Sequence, residues 1–212
     1  MSRTNRCALW LLPAVFGLGF LLAPRASVAA PGYVNFMFGQ KIFNSDWDPI
    51  DKQTAWGAEG VFGPARWPVQ MDAYYSHASK SKDAVISTVQ GTFKGTTNEF
   101  GFGANKTFGK KKLHPYVNAG ALLAKVTASF SQSGTSGSND ARHIGVWGGG
   151  GAFYRLGTAF NIGGAVRYSS ATVDFKAYTT TIGGIPFNGA SVDAGGFTFG
   201  VLVGWGWPKT KD

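Results

Sequence analysis

Apolar and polar residues alternate along most of the chain. A period of two marks β-strands whose two faces meet different surroundings. Over 33–43, Val34, Phe36, Phe38 and Ile42 share one face, and Asn35, Gly39 and Lys41 the other. Over 54–62, Trp56, Ala58 and Phe62 oppose Gly57 and Glu59. Over 69–79, Val69, Met71, Ala73 and Tyr75 oppose Gln70, Asp72 and Ser76. Over 96–108, Phe100, Phe102, Ala104 and Phe108 oppose Glu99, Gly101, Gly103 and Asn105. Over 115–129, Val117, Ala119, Ala121 and Leu123 oppose Tyr116, Asn118 and Gly120. Over 158–169, Phe160, Ile162, Val166 and Tyr168 oppose Asn161, Arg167 and Ser169. The last segment, 192–207, sets Phe197, Phe199, Val201, Val203, Trp205 and Trp207 against Gly196, Thr198, Gly200, Gly204 and Gly206, with Leu202 as the one interruption. Segment 141–154 is less regular. Ile144, Val146, Ala152 and Tyr154 share a face, Trp147 and Phe153 fall on the other, and a bulge within 148–151 is one way to exchange the faces midway.

The pattern predicts eight strands. Their second, fourth and sixth connections (63–68, 109–114 and 155–157) are short, whereas 44–53, 80–95, 130–140 and 170–191 are long and polar. Such alternation belongs to an up-and-down meander with loops at one end and tight turns at the other. Pairing the first strand with the last closes a barrel and removes both edges. No heptad, internal repeat or second domain is visible.

Composition decides which solvent the apolar face meets. The 212 residues include 31 glycines and only 15% charged residues, against about 25% charge in soluble domains. A soluble barrel turns its apolar face inward; a membrane barrel inverts it. Here the polar face is mostly Gly, Ser, Thr and Asn, with charges at Lys41, Glu59, Asp72, Glu99 and Arg167. Small residues and few charges of mixed sign suit the narrow interior of eight strands. Unpaired charge is costly there, so these five are expected to form a linked lumen network. The opposite face carries little charge. Lys106 and Lys125 are exceptions near strand ends, where long stems reach head groups. Trp56, Tyr75 and Tyr168 fall near long-loop ends, and Tyr33, Phe108, Tyr154, Trp205 and Trp207 near turn ends. Rings at both borders are expected of membrane-interface girdles. The expectation is an all-β, closed, antiparallel up-and-down transmembrane β-barrel of eight strands over 30–212.

Residues 1–29 read as a cleaved signal peptide. Arg3 and Arg6 precede an apolar stretch over 7–22, and Ser27-Val28-Ala29 supplies the small-residue cleavage triplet. Cys7, the chain's one cysteine, leaves with it, and with it any disulfide, cysteine nucleophile or thiolate metal ligand. Three of the 20 basic residues leave too, lowering the formal charge from +9 to +6. On an exported chain that charge points to anionic lipid head groups rather than to nucleic acid.

Together these features resemble the small outer-membrane β-barrels of Gram-negative bacteria, the OmpA-like and OmpX-like eight-stranded barrel domains. The resemblance rests on the signal peptide, the eight alternating segments, the glycine-rich terminal hairpin and the closing strand over 196–207, and it spans essentially all of 30–212. It implies a bacterial outer-membrane location, a monomer, contact with outer-membrane lipids and lipopolysaccharide, and recognition of the C-terminal strand by the barrel-assembly machinery. It also implies no cofactor and a non-enzymatic, structural or surface-interaction role through extracellular loops. Family members commonly end on alternating aromatics, whereas here Trp207 is followed by Pro208-Lys209-Thr210-Lys211-Asp212.

Three other functions compete, one of them a soluble carrier barrel of lipocalin type, opposed by the small residues of the polar face. A narrow small-solute channel is the second, opposed by the charged residues that must fit the lumen. A lipid A deacylase is the third. His77 and Ser79 lie two apart on one strand face, and the pair resembles the His-x-Ser of outer-membrane deacylases. A histidine base beside a serine nucleophile is workable chemistry, but no carboxylate on neighbouring outward positions is placed to orient the ring. His114 and His143 are dispersed and do not mark a metal site. Asp46, Asp48 and Asp51 match a calcium loop only loosely, without its closing Glu. Lys52, Lys80, Lys82 and Lys94 lie in long connections, where lipopolysaccharide phosphates are accessible to them.

Overall fold

Twelve strands form among the residues described by the computed structural model, namely 32–43, 50–64, 67–86, 89–109, 112–132, 135–174, 178–182, 185–187 and 191–207. They are β1 (Gly32–Phe43), β2 (Lys52–Phe62), β3 (Gln70–Ile86), β4 (Val89–Thr107), β5 (Leu113–Gln132), β6 (Thr135–Leu156), β7 (Phe160–Ser170), β8 (Thr172–Asp174), β9 (Tyr178–Ile182), β10 (Ile185–Phe187), β11 (Ser191–Asp193) and β12 (Gly196–Trp207). Eight of them, β1 to β7 and β12, close an antiparallel barrel in which sequence neighbours are also spatial neighbours. The seam pairs β1 with β12, from Gly32↔Trp207 to Phe43↔Gly196. The expected eight-stranded meander is the fold that forms. The segments 1–29 and 208–212 lie outside the described residues.

Alternation sorts the faces on every barrel strand. Phe38, Phe102, Val201 and Trp205 are more than half exposed on the outside, while Asn35, Lys41, Asp72 and Asn105 are almost fully buried within. The interior is therefore polar and buried, and the exterior apolar and exposed. On β4, Gly101 leaves room for the ring of Tyr74, its cross-strand partner on β3, and a β-carbon at 101 would stand within that ring. An inward aromatic folded over a glycine fills the lumen without widening the barrel.

Three long connections differ from expectation. Segment 80–95 is a ribbon paired from Lys80↔Gly95 to Ile86↔Val89. Segment 130–140 is likewise paired, up to Gln132↔Thr135. Among the described side chains, Ser81, Lys82, Asp83, Thr92 and Lys94 of the first ribbon and Ser131, Ser136, Ser138 and Asp140 of the second are exposed, and the backbone ladder continues regardless. Thr92 Oγ1 donates to Asp83 Oδ1 at 2.6 Å across the first ribbon. Within 170–191, β8 pairs β11 and β9 pairs β10. No bulge interrupts β6: its register with β5 is continuous from Leu113↔Tyr154 to Gln132↔Thr135. The four glycines over 148–151 sit alternately out and in, so they carried no information about the face.

Candidate functional site

The lumen is built from side chains of opposite charge reaching across it. On the loop side, Lys41 (β1) pairs with Glu99 (β4), and both are at most 2% exposed. Ser169 (β7) donates to Glu99 Oε1 at 2.8 Å, and its Oγ accepts from Lys41 Nζ at 3.3 Å. Phe43 covers this layer, with Lys41 Nζ 4.8 Å from the ring centre. Above it Phe43, Ile50, Val126, Ala141 and Ala194 form an apolar cap.

Toward the turn side, Arg167 (β7) pairs with Glu59 (β2). Asn118 (β5) bridges two carboxylates, donating to Asp72 Oδ2 at 2.8 Å and to Glu59 Oε2 at 3.4 Å. Asn105 adds a donor to Asp72 Oδ2 at 3.4 Å. The Tyr74 ring stacks under the Arg167 guanidinium and meets Trp147 edge-on at 4.8 Å. Trp147 Nε1 in turn donates to Ala121 O at 3.1 Å. Ionic and aromatic contacts thus alternate along the bore, which side chains fill as eight strands require.

The eight aromatics read as interface residues divide differently. Trp56, Tyr75 and Tyr168 are exposed toward the loop end, and Phe108, Tyr154 and Trp205 toward the turn end. Trp207 is partly buried at the turn-end mouth. Tyr33 departs from the expectation and points inward. It is 3% exposed, meets Phe153 edge-on at 4.9 Å, and accepts a hydrogen bond from Asn105 Nδ2 at 3.0 Å. Its parity with Asn35 and Lys41 holds it inside whatever its ring prefers. Tyr74, Tyr116, Trp147 and Phe153 are the lumen aromatics that residue-type reasoning passes over; strand parity was the signal for them.

His77 and Ser79 lie on the outer face of β3. His77 Nδ1 is 2.9 Å from Asn98 Oδ1, an acceptor that also takes Tyr75 OH at 2.8 Å. Asn98 is the direct cross-strand partner of His77, a relation that only the register reveals. A neutral amide orients the imidazole but does not offset an imidazolium as a carboxylate does. Among the described residues no group of three or more His, Cys, Asp or Glu is arranged to hold a metal. Asp46 and Asp48 lie outside the described residues. Lys125 pairs with Asp140 at 3.1 Å, and Lys106 donates to Pro68 O.

In sequence, the chain matches no family model and no curated protein. In structure, it is similar to the outer membrane protein OprG from Pseudomonas aeruginosa, with a TM-score of 0.61 at 12% identity over 85% of this chain and 97% of that one. It is also similar to Ail, the attachment invasion locus protein of Yersinia pestis, solved with the heparin analogue sucrose octasulfate. There the TM-score is 0.54 at 12% identity, over 84% of this chain and 98% of that one. At such identities the likeness speaks for architecture alone, and the architecture is that of the small eight-stranded outer-membrane β-barrels.

Proposed function

We propose that this chain is a non-enzymatic protein of the bacterial outer membrane, exported by the signal peptide 1–29 and working as a monomer in a structural or surface-interaction role. The observation that carries the reading is the inversion of its faces. Five charged residues (Lys41, Glu59, Asp72, Glu99 and Arg167) are at most 7% exposed, while Phe38, Phe102, Val201 and Ile162 stand bare outside. Water-soluble monomers rarely expose contiguous apolar surface beyond a few hundred Å². Lipid is the solvent that makes both faces favourable.

The partners follow from position. Lipid chains meet the outer belt, with Trp56, Tyr75, Tyr168, Phe108, Tyr154 and Trp205 at its borders. Lys52, Lys80, Lys82 and Lys94, on the loop side, serve lipopolysaccharide phosphates. The strand Gly196–Trp207 is the segment offered to the barrel-assembly machinery. The filled lumen weighs against a small-solute channel. Asn98, standing where a carboxylate is needed, weighs against hydrolysis by His77 and Ser79.

Membrane fractionation combined with heat-modifiability tests the proposal. The folded chain is expected in the outer-membrane fraction and to change mobility on an SDS gel after boiling. Recovery as soluble periplasmic material with one mobility before and after boiling overturns it.

A further inference from the structure

We infer that the turn end of the barrel holds a binding site for a small planar organic anion, such as an aromatic carboxylate, sulfonate or phosphate ester. A cavity of about 530 Å³ opens there among the ends of β1, β4, β5, β6 and β12 and the β2–β3 turn. That volume falls within the range of small-molecule sites.

The chemistry of its wall is one-sided. Lys106, His114 and Arg155 line it, and no Asp or Glu is among the described residues that do. Arg155 enters none of the ion pairs among the described residues. Its Nε donates to Asn161 Oδ1 at 3.1 Å, which fixes the fork while leaving its terminal amino groups available. Lys106 is held in place by its bond to Pro68 O.

Four aromatic residues line the cavity as well: Trp67 is exposed and Trp207 partly so, while Tyr33 and Phe153 are buried behind the cations. Phe153 stacks on His114 with centroids 5.2 Å apart and planes 20° apart, and its ring lies 5.6 Å from the Arg155 guanidinium carbon. Rings and cations set side by side select a ligand that is itself flat and negatively charged.

The cation's seat is prepared by the closing strand. Arg155 lies across Gly206, and a β-carbon at 206 would collide with the guanidinium. A seat formed before the ligand arrives lowers the ordering cost of binding. Gly32 and Tyr33 of β1 line the cavity with Trp207 of β12 across the seam, so the site exists only once the barrel has closed.

The test is calorimetric titration of the folded protein in detergent with naphthalene-2-sulfonate, with a micelle-only titration subtracted and neutral 2-naphthol as the comparison. Saturable one-to-one binding of the sulfonate is expected. Arg155→Gln should weaken it about tenfold or more, the scale of one charge-assisted hydrogen bond. Gly206→Ala should weaken it as well, although every charge remains, and Arg142→Gln at the loop end should change nothing. Heat-modifiability verifies that each variant is folded, and Lys106→Gln replaces any variant that is not. Non-saturable uptake, or equal affinity in the wild type and the folded cavity variants, overturns the site. The inference stands on the barrel alone, so this result and the fractionation result are independent.

Discussion

The guanidinium carbon of Arg167 stands 3.7 Å from the centre of the Tyr74 ring. The same guanidinium is bonded to Glu59. One cation therefore serves a carboxylate and an aromatic face inside the bore, where all three side chains are buried. Cation–π contacts contribute about 2 kcal/mol or more when desolvated. Removing one member of a buried ion pair costs about 3–5 kcal/mol, because the survivor stays charged and unpaired. Arg167→Ala should therefore lower unfolding stability by that amount, as measured by urea titration of the folded barrel. Arg167→Met combined with Glu59→Leu should recover most of it. Arg167→Lys should fall between, since an ammonium keeps the charge without the planar stacking surface.

Val201 lies mid-strand on the outer face and is 61% exposed. In lipid, Val201→Lys should cost about 2–4 kcal/mol, whereas Ser138→Lys, on the ribbon beyond the belt, should cost about 0–1 kcal/mol. A soluble barrel would accept lysine equally well at both places. Equal unfolding midpoints for the two variants would therefore count against a lipid-facing belt.

The bore is filled from Phe43 at the loop side to Tyr33 at the turn side. Reconstituted wild-type protein should show no steady conductance in a planar bilayer. Tyr74→Ala with Trp147→Ala removes the two largest rings of the middle layer, and open events should then appear. A stable conductance step in the wild type would contradict the plug.

His77 is tied to Asn98 rather than to an acid. Cells producing the wild type, His77→Ala or Ser79→Ala should yield lipid A of identical acylation by mass spectrometry. Loss of an acyl chain in the wild type alone would restore the hydrolase reading.

How far the sequence reaches depends on which property it encodes. Alternation is local, and it separates inside from outside on each barrel strand. Partnership is not local. That Lys41 meets Glu99 and Arg167 meets Glu59 depends on register around the closed ring, which no single segment carries. Tyr33 marks a conflict between two signals: its chemistry favours a membrane border, its parity favours the lumen, and backbone geometry prevails. The ribbons over 80–95 and 130–140 were illegible for a different reason. Consecutive residues such as Ser81, Lys82 and Asp83 are all exposed, so the sequence there looks like loop while the backbone remains paired. Asn98 was hidden likewise, since its relevance to His77 exists only across two strands.

The seam between Gly32 and Trp207 also governs time. It joins the first described barrel strand to the last, so the most widely separated segments of the chain form the contact that ends the process. Until β12 is available, β1 and β7 each expose a row of unpaired backbone groups, and no partial barrel is free of them. Contacts between distant segments also slow folding. Closure therefore waits on β12. Any chain stopped before Gly196 is left with two open edges, so the closing strand is the one element that this barrel cannot do without.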